Sequence, residues 1–546
     1  MIGKMLGTYQ SYNRPGKGGM GEAFQAKDWK PGRCAAMKFL PLLVAILLSP
    51  VTTAASSCES LTGISLTDAT ITSAQIVAPG DFIPPQGVPG AIPAASDAGQ
   101  AFKTLPAFCR VAVTIKPTND SDIKIEVWMP MSGWNHKFLA VGNGGWAGSI
   151  SYAAMSDALR RGYSTSSTDT GHVGTSGSFV LEHPEKYTDF AWRSVHEMTL
   201  KAKAIIRAFS GEGPRLSYWN GCSTGGRQGL IEAQRFPTDY DGIIAGASAN
   251  PRTRQAGWQL YLAQAVLRDT ASFIPPAKHP AIHKAVLDAC DRVDGVKDGV
   301  IEDPTRCRFN PQVLACKGEE GPECLTNAQV EAVRKIMSPA TRGDGTEIFP
   351  GLEPGAELGW SVLLGRRDPL ALSLDCYRYV VFKDPNWDWR TFDLERDVAL
   401  AEKVDNGTID AVNPDLKAFV EHGGKLLMYH GWADQMGPPR ASINYYKSVL
   451  DKMGGPAKTA SWIRLFMVPG MAHCGGGEGA NSFDMVDALD QWVEQGKAPD
   501  QILASRSTGG KVDRTRPLCP YPKTARYKGS GSTDDAANFE CSPPGR

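Results

Sequence analysis

Apolar residues alternate at Ile123, Ile125, Val127 and Met129, the period-two pattern of a half-buried β-strand. A second apolar run at 138–141 leads into Gly142-Asn143-Gly144-Gly145, so a strand there ends in a glycine loop. Over 189–209 the period changes. Val195, Met198, Ala202 and Ile205 recur at helical spacing with no Pro or Gly among them, which predicts an amphipathic helix. A short strand at 216–219, a helix at 227–236 and a strand at 242–245 follow, and that succession implies a parallel sheet. From about 250 to 415, Pro, Trp and Cys crowd together without sustained alternation, the texture of an inserted domain. Strands resume at 425–429 and 463–468, a helix is predicted at 483–493, and beyond Pro517 the tail reads as polar and irregular.

The expected fold class is therefore α/β, with a large inserted lid interrupting the core. At 546 residues the chain could hold three or four domains of roughly 150 residues, or one α/β core expanded by insertion. Lys and Arg (58) balance Asp and Glu (58), which excludes a polyanion binder whose affinity rests on phosphate neutralisation, so no nucleic-acid partner is expected. A hydrophobic content of 42% with 58 Gly and 38 Pro describes a loop-rich globular protein and excludes a disordered or fibrous one.

Twelve cysteines are scattered too widely for zinc ribbons and read as disulfides of an oxidising compartment. An export signal is present in an unusual place. Met37-Lys38 precedes an apolar run from Phe39 to Leu48 and then Thr53-Ala54-Ala55, the order of a secretory leader. The run is too short for a membrane span, which takes roughly 20 apolar residues. Upstream, Gly16-Lys17-Gly18-Gly19-Met20-Gly21-Glu22-Ala23-Phe24 with Ala35-Ala36-Met37-Lys38 resembles the glycine-rich loop and lysine strand of bacterial protein kinases. No catalytic-loop or Asp-Phe-Gly motif follows to hold magnesium, so kinase activity is rejected. The expected partition is an upstream extension (1–36), a leader (37–55) with translation starting at Met37, a core in two parts (56–249 and 416–546) and a lid (250–415).

Gly221-Cys222-Ser223-Thr224-Gly225-Gly226 lies between a predicted strand and a predicted helix, the setting a nucleophile elbow requires. A serine needs a base and an orienting acid, and in this arrangement they follow in the order acid, histidine after later strands. Asp434, after the 425–429 strand, and His473, after the 463–468 strand, fill those places. His430 is the rival base because it shares the Asp434 loop. His279 and His283 stand at helical spacing without a third metal ligand, and the remaining histidines have no motif around them. Thr224, next to the nucleophile, supplies one oxyanion amide, and the glycine loop after the 138–141 strand should supply the other. If Ser223 and His473 meet, their neighbours Cys222 and Cys474 come close enough to bridge.

With Arg227-Gln228-Gly229, Arg235-Phe236-Pro237 and Tyr240-Asp241-Gly242, this region resembles the tannase and feruloyl esterase family, whose signature is a Cys-Ser pair, an Asp and a His-Cys pair. The resemblance runs from about Cys58 to Cys541. It implies an α/β-hydrolase core and a secreted serine esterase cleaving aromatic esters such as feruloyl or galloyl esters through an acyl-enzyme. The alternative is a binding protein that kept the fold. It places the second oxyanion amide at Gly145. It also implies pairing of Cys58 with Cys109, Cys290 with Cys307, Cys316 with Cys324 and Cys519 with Cys541, leaving Cys376 over. Three carboxylates among glycine turns at 291–298 can wrap a hard cation, and the resemblance places a structural calcium at Asp291, Asp294, the Val296 carbonyl, Asp298 and the Val300 carbonyl. In the lid, Trp360, Tyr379, Trp387 and Trp389 suit a flat phenolic acyl group or simply form core. Trp360, Tyr379 and Trp387 are carried as substrate contacts.

Overall fold

The structure is a computed structural model. It describes residues 56–85 and 102–543, together with the backbone of short strands between Met5 and Ala35. The expected leader at 37–55 lies outside the described residues. The chain divides into two compact units, Met1–Thr53 and Ala54–Arg546. In the first, strands Met5–Leu6, Tyr9–Asn13, Gln25–Asp28 and Cys34–Ala35 pair into a small sheet, and Lys17–Gly18 pairs with Gly21–Glu22.

The second unit is built on a sheet of nine strands: β1 (Ala69–Val77), β2 (Phe108–Ile115), β3 (Ile123–Pro130), β4 (Lys137–Val141), β5 (Ser164–Thr168), β6 (Leu216–Cys222), β7 (Gly242–Gly246), β8 (Lys425–Gly431) and β9 (Ile463–Val468). The spatial order is β9-β8-β7-β6-β4-β5-β3-β2-β1. Pairing is parallel from β9 to β5 and antiparallel from β5 to β1. The helices relevant to the site are α1 (Tyr152–Arg160), α2 (Ser194–Ser210), α3 (Thr224–Arg235), α4 (Arg252–Leu267), α5 (His279–Cys290), α6 (Asn327–Met337), α7 (Leu394–Asp405), α8 (Arg440–Lys452) and α9 (Met485–Gln495).

Successive side chains of a strand face opposite sides, and here each side meets its own helical layer. Phe138 and Ala140 of β4, Ile243 and Ala245 of β7, Leu426 and Met428 of β8 and Ile463 and Leu465 of β9 pack with Val195, Met198 and Ile205 of α2, Leu230 of α3 and Ile443 of α8. The alternate residues Leu139, Ile244, Leu427 and Phe466 pack with Met485, Leu489 and Trp492 of α9 and Ala158 of α1. This three-layer arrangement is the expected α/β-hydrolase core. Between β7 and β8, helices α4 to α7 enclose a separate apolar cluster containing Trp258, Ile282, Val333, Trp360, Tyr377, Trp389 and Val398. Trp146, Phe190 and Ala441 from outside the insertion complete it.

Three expectations need correction. β3 is buried on both faces, because Trp128 packs with Phe82, Phe102 and Phe108 and Glu126 accepts Arg110, Trp128 Nε1 and Tyr152 OH. The tail beyond Pro517 is not wholly irregular: Thr524–Tyr527 pairs with Phe539–Ser542. The predicted 189–209 helix opens with a π-helical turn, Asp189–Arg193, before α2 begins.

Candidate active site

β6 ends at Cys222 and α3 starts at Thr224, so Ser223 is the whole turn between them. Its φ of 61° and ψ of −120° lie where a side chain is strained, a cost of order 1–3 kcal/mol that surrounding contacts must offset. The flanking glycines make the turn possible. A Cβ at Gly221 would sit 2.4 Å from the Gly225 carbonyl, and one at Gly226 would sit 2.2 Å from the Gly246 oxygen. The Ser223 amide donates to the Gly246 carbonyl at 3.0 Å, tying the elbow to β7, while its hydroxyl faces a cavity of about 870 Å³.

His473 lines the same cavity. Its Nδ1 is 2.6 Å from Asp434 Oδ2, and its amide donates to Gln435 Oε1 at 3.2 Å. Asp434 is fully buried, yet its oxygens are well supplied with donors. Oδ1 accepts the Met436 and Gly437 amides at 2.7 and 3.0 Å, and Oδ2 also meets His430 Nε2 at 3.0 Å. Burial alone would raise this carboxyl, but the attraction of His473 and the hydrogen bonds from His430 and His473 outweigh it and hold Asp434 well below the usual carboxylate range. Burial likewise lowers His473, and Asp434 outweighs it, leaving the imidazole above its ordinary value. His430 does not line this cavity. It is buried with Nδ1 2.8 Å from Ser442 Oγ and Nε2 shared between Asp434 and the Gly437 carbonyl. Both groups facing Nε2 are acceptors, so Nε2 donates and steadies Asp434. The Asp434–His473 bond is closed, and Ser223 and His473 line the same cavity.

Cys222 and Cys474 are joined, with an S–S distance of 2.02 Å and Cα atoms 6.0 Å apart, so the elbow and the His473 loop are tied covalently beside Ser223 and His473. Gly145, with φ of +54°, and Thr224 stand on the elbow's other side, where the Thr224 hydroxyl donates to the Gly145 carbonyl at 2.9 Å. As the first residue of α3, Thr224 has an amide with no acceptor inside the helix.

The family model described as tannase and feruloyl esterase matches residues 109–365 and 370–542. The chain belongs to the tannase and feruloyl esterase family. A probable feruloyl esterase B-1 of Aspergillus flavus is 37% identical over 79% of this chain and 86% of its own. An uncharacterized esterase of Xanthomonas campestris pv. campestris is 36% identical over 93% and 95%. The crystal structure of feruloyl esterase B from Aspergillus oryzae superposes with a TM-score of 0.83 at 35% identity, covering 89% of this chain and 99% of that one. Tannin acyl hydrolase from Aspergillus niger, at 22% identity and a TM-score of 0.72 over 87% and 92%, shares the fold. With this membership the chain is a carboxylic ester hydrolase.

The Cys222–Cys474 bridge expected from Ser223 meeting His473 and the four pairs that the family resemblance implies are all formed, and Cys376 is free and buried. The expected aromatic contacts are placed elsewhere. Trp360 is buried against the His279 ring, Trp387 stacks on Tyr377 and Phe382, and Tyr379 packs on the insertion's own core. None of the three lines the cavity, whose apolar wall comes instead from Pro84, Phe102, Ile150, Tyr152, Leu372 and Met436. Large aromatics were the natural choice from composition, but in a helical insertion they serve first as its core.

The glycine loop at 142–145 is braced by residues that the sequence pattern does not single out. Asn143 donates to the Ser149 and Thr168 carbonyls at 3.1 and 2.8 Å, and its amide donates to Gln228 Oε1 at 3.1 Å. The insertion reaches the loop through the Leu372 carbonyl, which accepts Trp146 Nε1 at 3.0 Å and Arg252 Nη2 at 2.5 Å. A polar Asn within Gly142-Asn143-Gly144 was the one available signal.

At the foot of α5, the Cys290–Cys307 disulfide closes a loop turned by Gly295 and Gly299, with φ of +94° and +78°. Asp291 accepts the Asp298 and Gly299 amides, Asp294 accepts the Val296 amide, and Asp298 meets Arg516 and, through its carbonyl, Arg514. An all-oxygen donor set of this kind suits calcium. Among the described residues, the donors that lie mutually within 4.8 Å are instead those of His196, Glu232 and Asp239. There His196 and Asp239 are joined by a 2.7 Å hydrogen bond, and burial beside Asp239 pushes Glu232 far above its usual range.

Proposed function

We propose that this chain is a secreted serine esterase that cleaves aromatic carboxylic esters, of the feruloyl or galloyl kind, through an acyl-enzyme. The observation that carries the reading is one cavity holding Ser223 at a strained elbow and His473 bonded to a buried, ionised Asp434, with their neighbours cross-linked. Ser223 Oγ attacks the ester carbonyl as His473 Nε2 takes its proton, and Asp434 stabilises the imidazolium. The tetrahedral oxyanion is met by the Thr224 and Gly145 amides, each worth roughly 3 to 4 kcal/mol of barrier. His473 returns the proton to the departing alcohol. Water, deprotonated by the same imidazole, then releases the carboxylic acid and restores the serine.

The apolar wall of Phe102, Tyr152 and Leu372 favours a flat, largely uncharged acyl group. Five disulfides support an oxidising destination, and no described helix is long and apolar enough to cross a membrane. Asp291, Asp294 and Asp298, with the Val296 and Val300 carbonyls, would hold a structural calcium that charges none of the reacting atoms and fixes the loop below α5. The deciding experiment compares intact protein with Ser223→Ala on phenolic methyl esters. The expected loss is at least about 10⁴-fold in kcat, and equal rates would instead mark a binding protein on a hydrolase scaffold.

A further inference from the structure

The loop that carries His473 has little support of its own. Between Gly470 and Gly479 it contains five glycines, and Gly470, Cys474, Gly476 and Gly477 all hold positive φ. Its internal backbone bonds run from Ala472 to Gly476 and from Glu478 and Gly479 back to Gly470. Glycine-rich backbone of this kind loses much conformational freedom when it is fixed. Something outside the loop must therefore set its position. On one flank the anchors are the Cys222–Cys474 bond and Asp434, already described.

On the other flank the anchor comes from the insertion. Glu478, five positions after His473, places Oε2 2.8 Å from His283 Nε2, and His283 Nδ1 lies 2.7 Å from Glu357 Oε2. Ionised carboxylates only accept, so both ring nitrogens donate and the ring is an imidazolium. Burial opposes that charge, but hydrogen bonds and attraction from Glu357 and Glu478 outweigh it and push the ring up to about 9. The far end of the clamp is rigid, since Glu357 is fully buried and its Oε1 accepts the Gly355 amide at 2.8 Å. At the loop end, Arg506 Nη1 donates to the Glu478 carbonyl at 2.7 Å, and the positive charges of Arg506 and Arg514 also act on Glu478. A cavity of about 90 Å³ beside the clamp is lined by His283 and Glu478 together with Gln435, Gly470 and Ala472, residues that contact or flank the base.

We propose that His283 is a positioning residue for catalysis, a charged rivet on α5 that acts through Glu478 to hold the base loop where His473 faces Ser223. The inference rests on the triad reading above. Because α5 runs from His283 directly into Cys290 and Asp291, the same rivet joins the 291–300 loop mechanically to the catalytic base.

The test uses full-length protein and a small p-nitrophenyl ester, reading kcat, KM and melting temperature for His283→Gln, Glu478→Ala, the double variant and the conservative Glu478→Gln. Glu478 is half exposed, so its truncation should leave the fold standing even if His283→Gln does not. Glu478→Ala should lower kcat about tenfold, the scale of a small misplacement of a catalytic group, with KM within about twofold. The double variant should be no slower than the slower single variant, and Glu478→Gln, which keeps an acceptor oxygen, should recover most of kcat. An unchanged kcat in Glu478→Ala, whatever its melting temperature, would overturn the proposal, as would a change confined to KM or fully additive losses. Activity surviving in Ser223→Ala would instead overturn the triad reading beneath it.

Discussion

Cutting the Cys222–Cys474 bond by a double substitution to serine separates two roles that one covalent link can play. The bond spans 252 positions, and chain-entropy reasoning assigns a closure of that length about 5.5 kcal/mol, against about 2.5 kcal/mol for the eight-position Cys316–Cys324 bridge. The local effect is of a different kind. Ser223 and Cys474 hold φ of 61° and 63°, conformations costing of order 1–3 kcal/mol each and persisting only where neighbours enforce them. Without the sulfur link, Cys474 is free to relax and to carry His473 with it. Displacement by about 1 Å costs on the order of a hundredfold in rate. The assay measures denaturant unfolding and, on the same samples, turnover per folded active site counted by a covalent serine inhibitor. Turnover per folded site should fall about 10- to 100-fold, whereas removing Cys316–Cys324 should leave it unchanged. A large loss of stability with unchanged turnover per folded molecule would refute the positioning role.

The Asp434–His473 pair sets the pH behaviour. His473 must be neutral to act, and Asp434 raises it above its ordinary value, so kcat/KM should climb with pH through a limb lying above about 6.5. Asp434→Asn should move that limb to lower pH while lowering kcat about 10⁴-fold, and an unmoved limb would count against the assignment. Stability runs the other way. The depressed Asp434 stabilises above about pH 4 and the raised His473 below about pH 6.5, so the pair contributes most to stability where the base is least active. Gly145→Ala should cost about 10² to 10³ in kcat, because the new Cβ would lie 3.0 Å from Leu372 Cδ2 at a φ of +54°, and near-native kcat would remove Gly145 from the oxyanion hole. Excess chelator should lower the melting temperature, with calcium released on elemental analysis. An unchanged profile and no bound calcium would remove the metal site.

Much of the core was legible because its strands are apolar runs that end in chemistry. The elbow, Asp434 and His473 each follow a strand whose alternate residues serve the two helical layers, and the pattern placed all three at strand ends. What escaped is instructive. β5 reads Ser-Thr-Ser-Ser-Thr and carries no apolar signal, yet it is buried throughout because its hydroxyls find backbone acceptors, Thr165 on the Leu139 carbonyl and Ser166 on the Glu126 carbonyl. The brace of Asn143 and Gln228 joins positions 85 apart, and the clamp of His283, Glu357 and Glu478 joins three segments. Neither has a local spacing that could announce it. The role of the insertion's aromatics stayed open for a related reason: pattern shows that an aromatic is buried but not which surface buries it.

The insertion leaves the sheet after β7 and returns at β8, two strands paired in parallel with Gly242 opposite Lys425 and Gly246 opposite Tyr429. Its departure and return points are thus fixed by the ladder itself, whatever length of polypeptide lies between. A designer who exchanged the chain between them would have to keep what the core now takes from it: the Leu372 carbonyl that meets Trp146, the cation that meets Glu478, and the Ile409 and Ala411 carbonyls that accept Arg227 and Asn250.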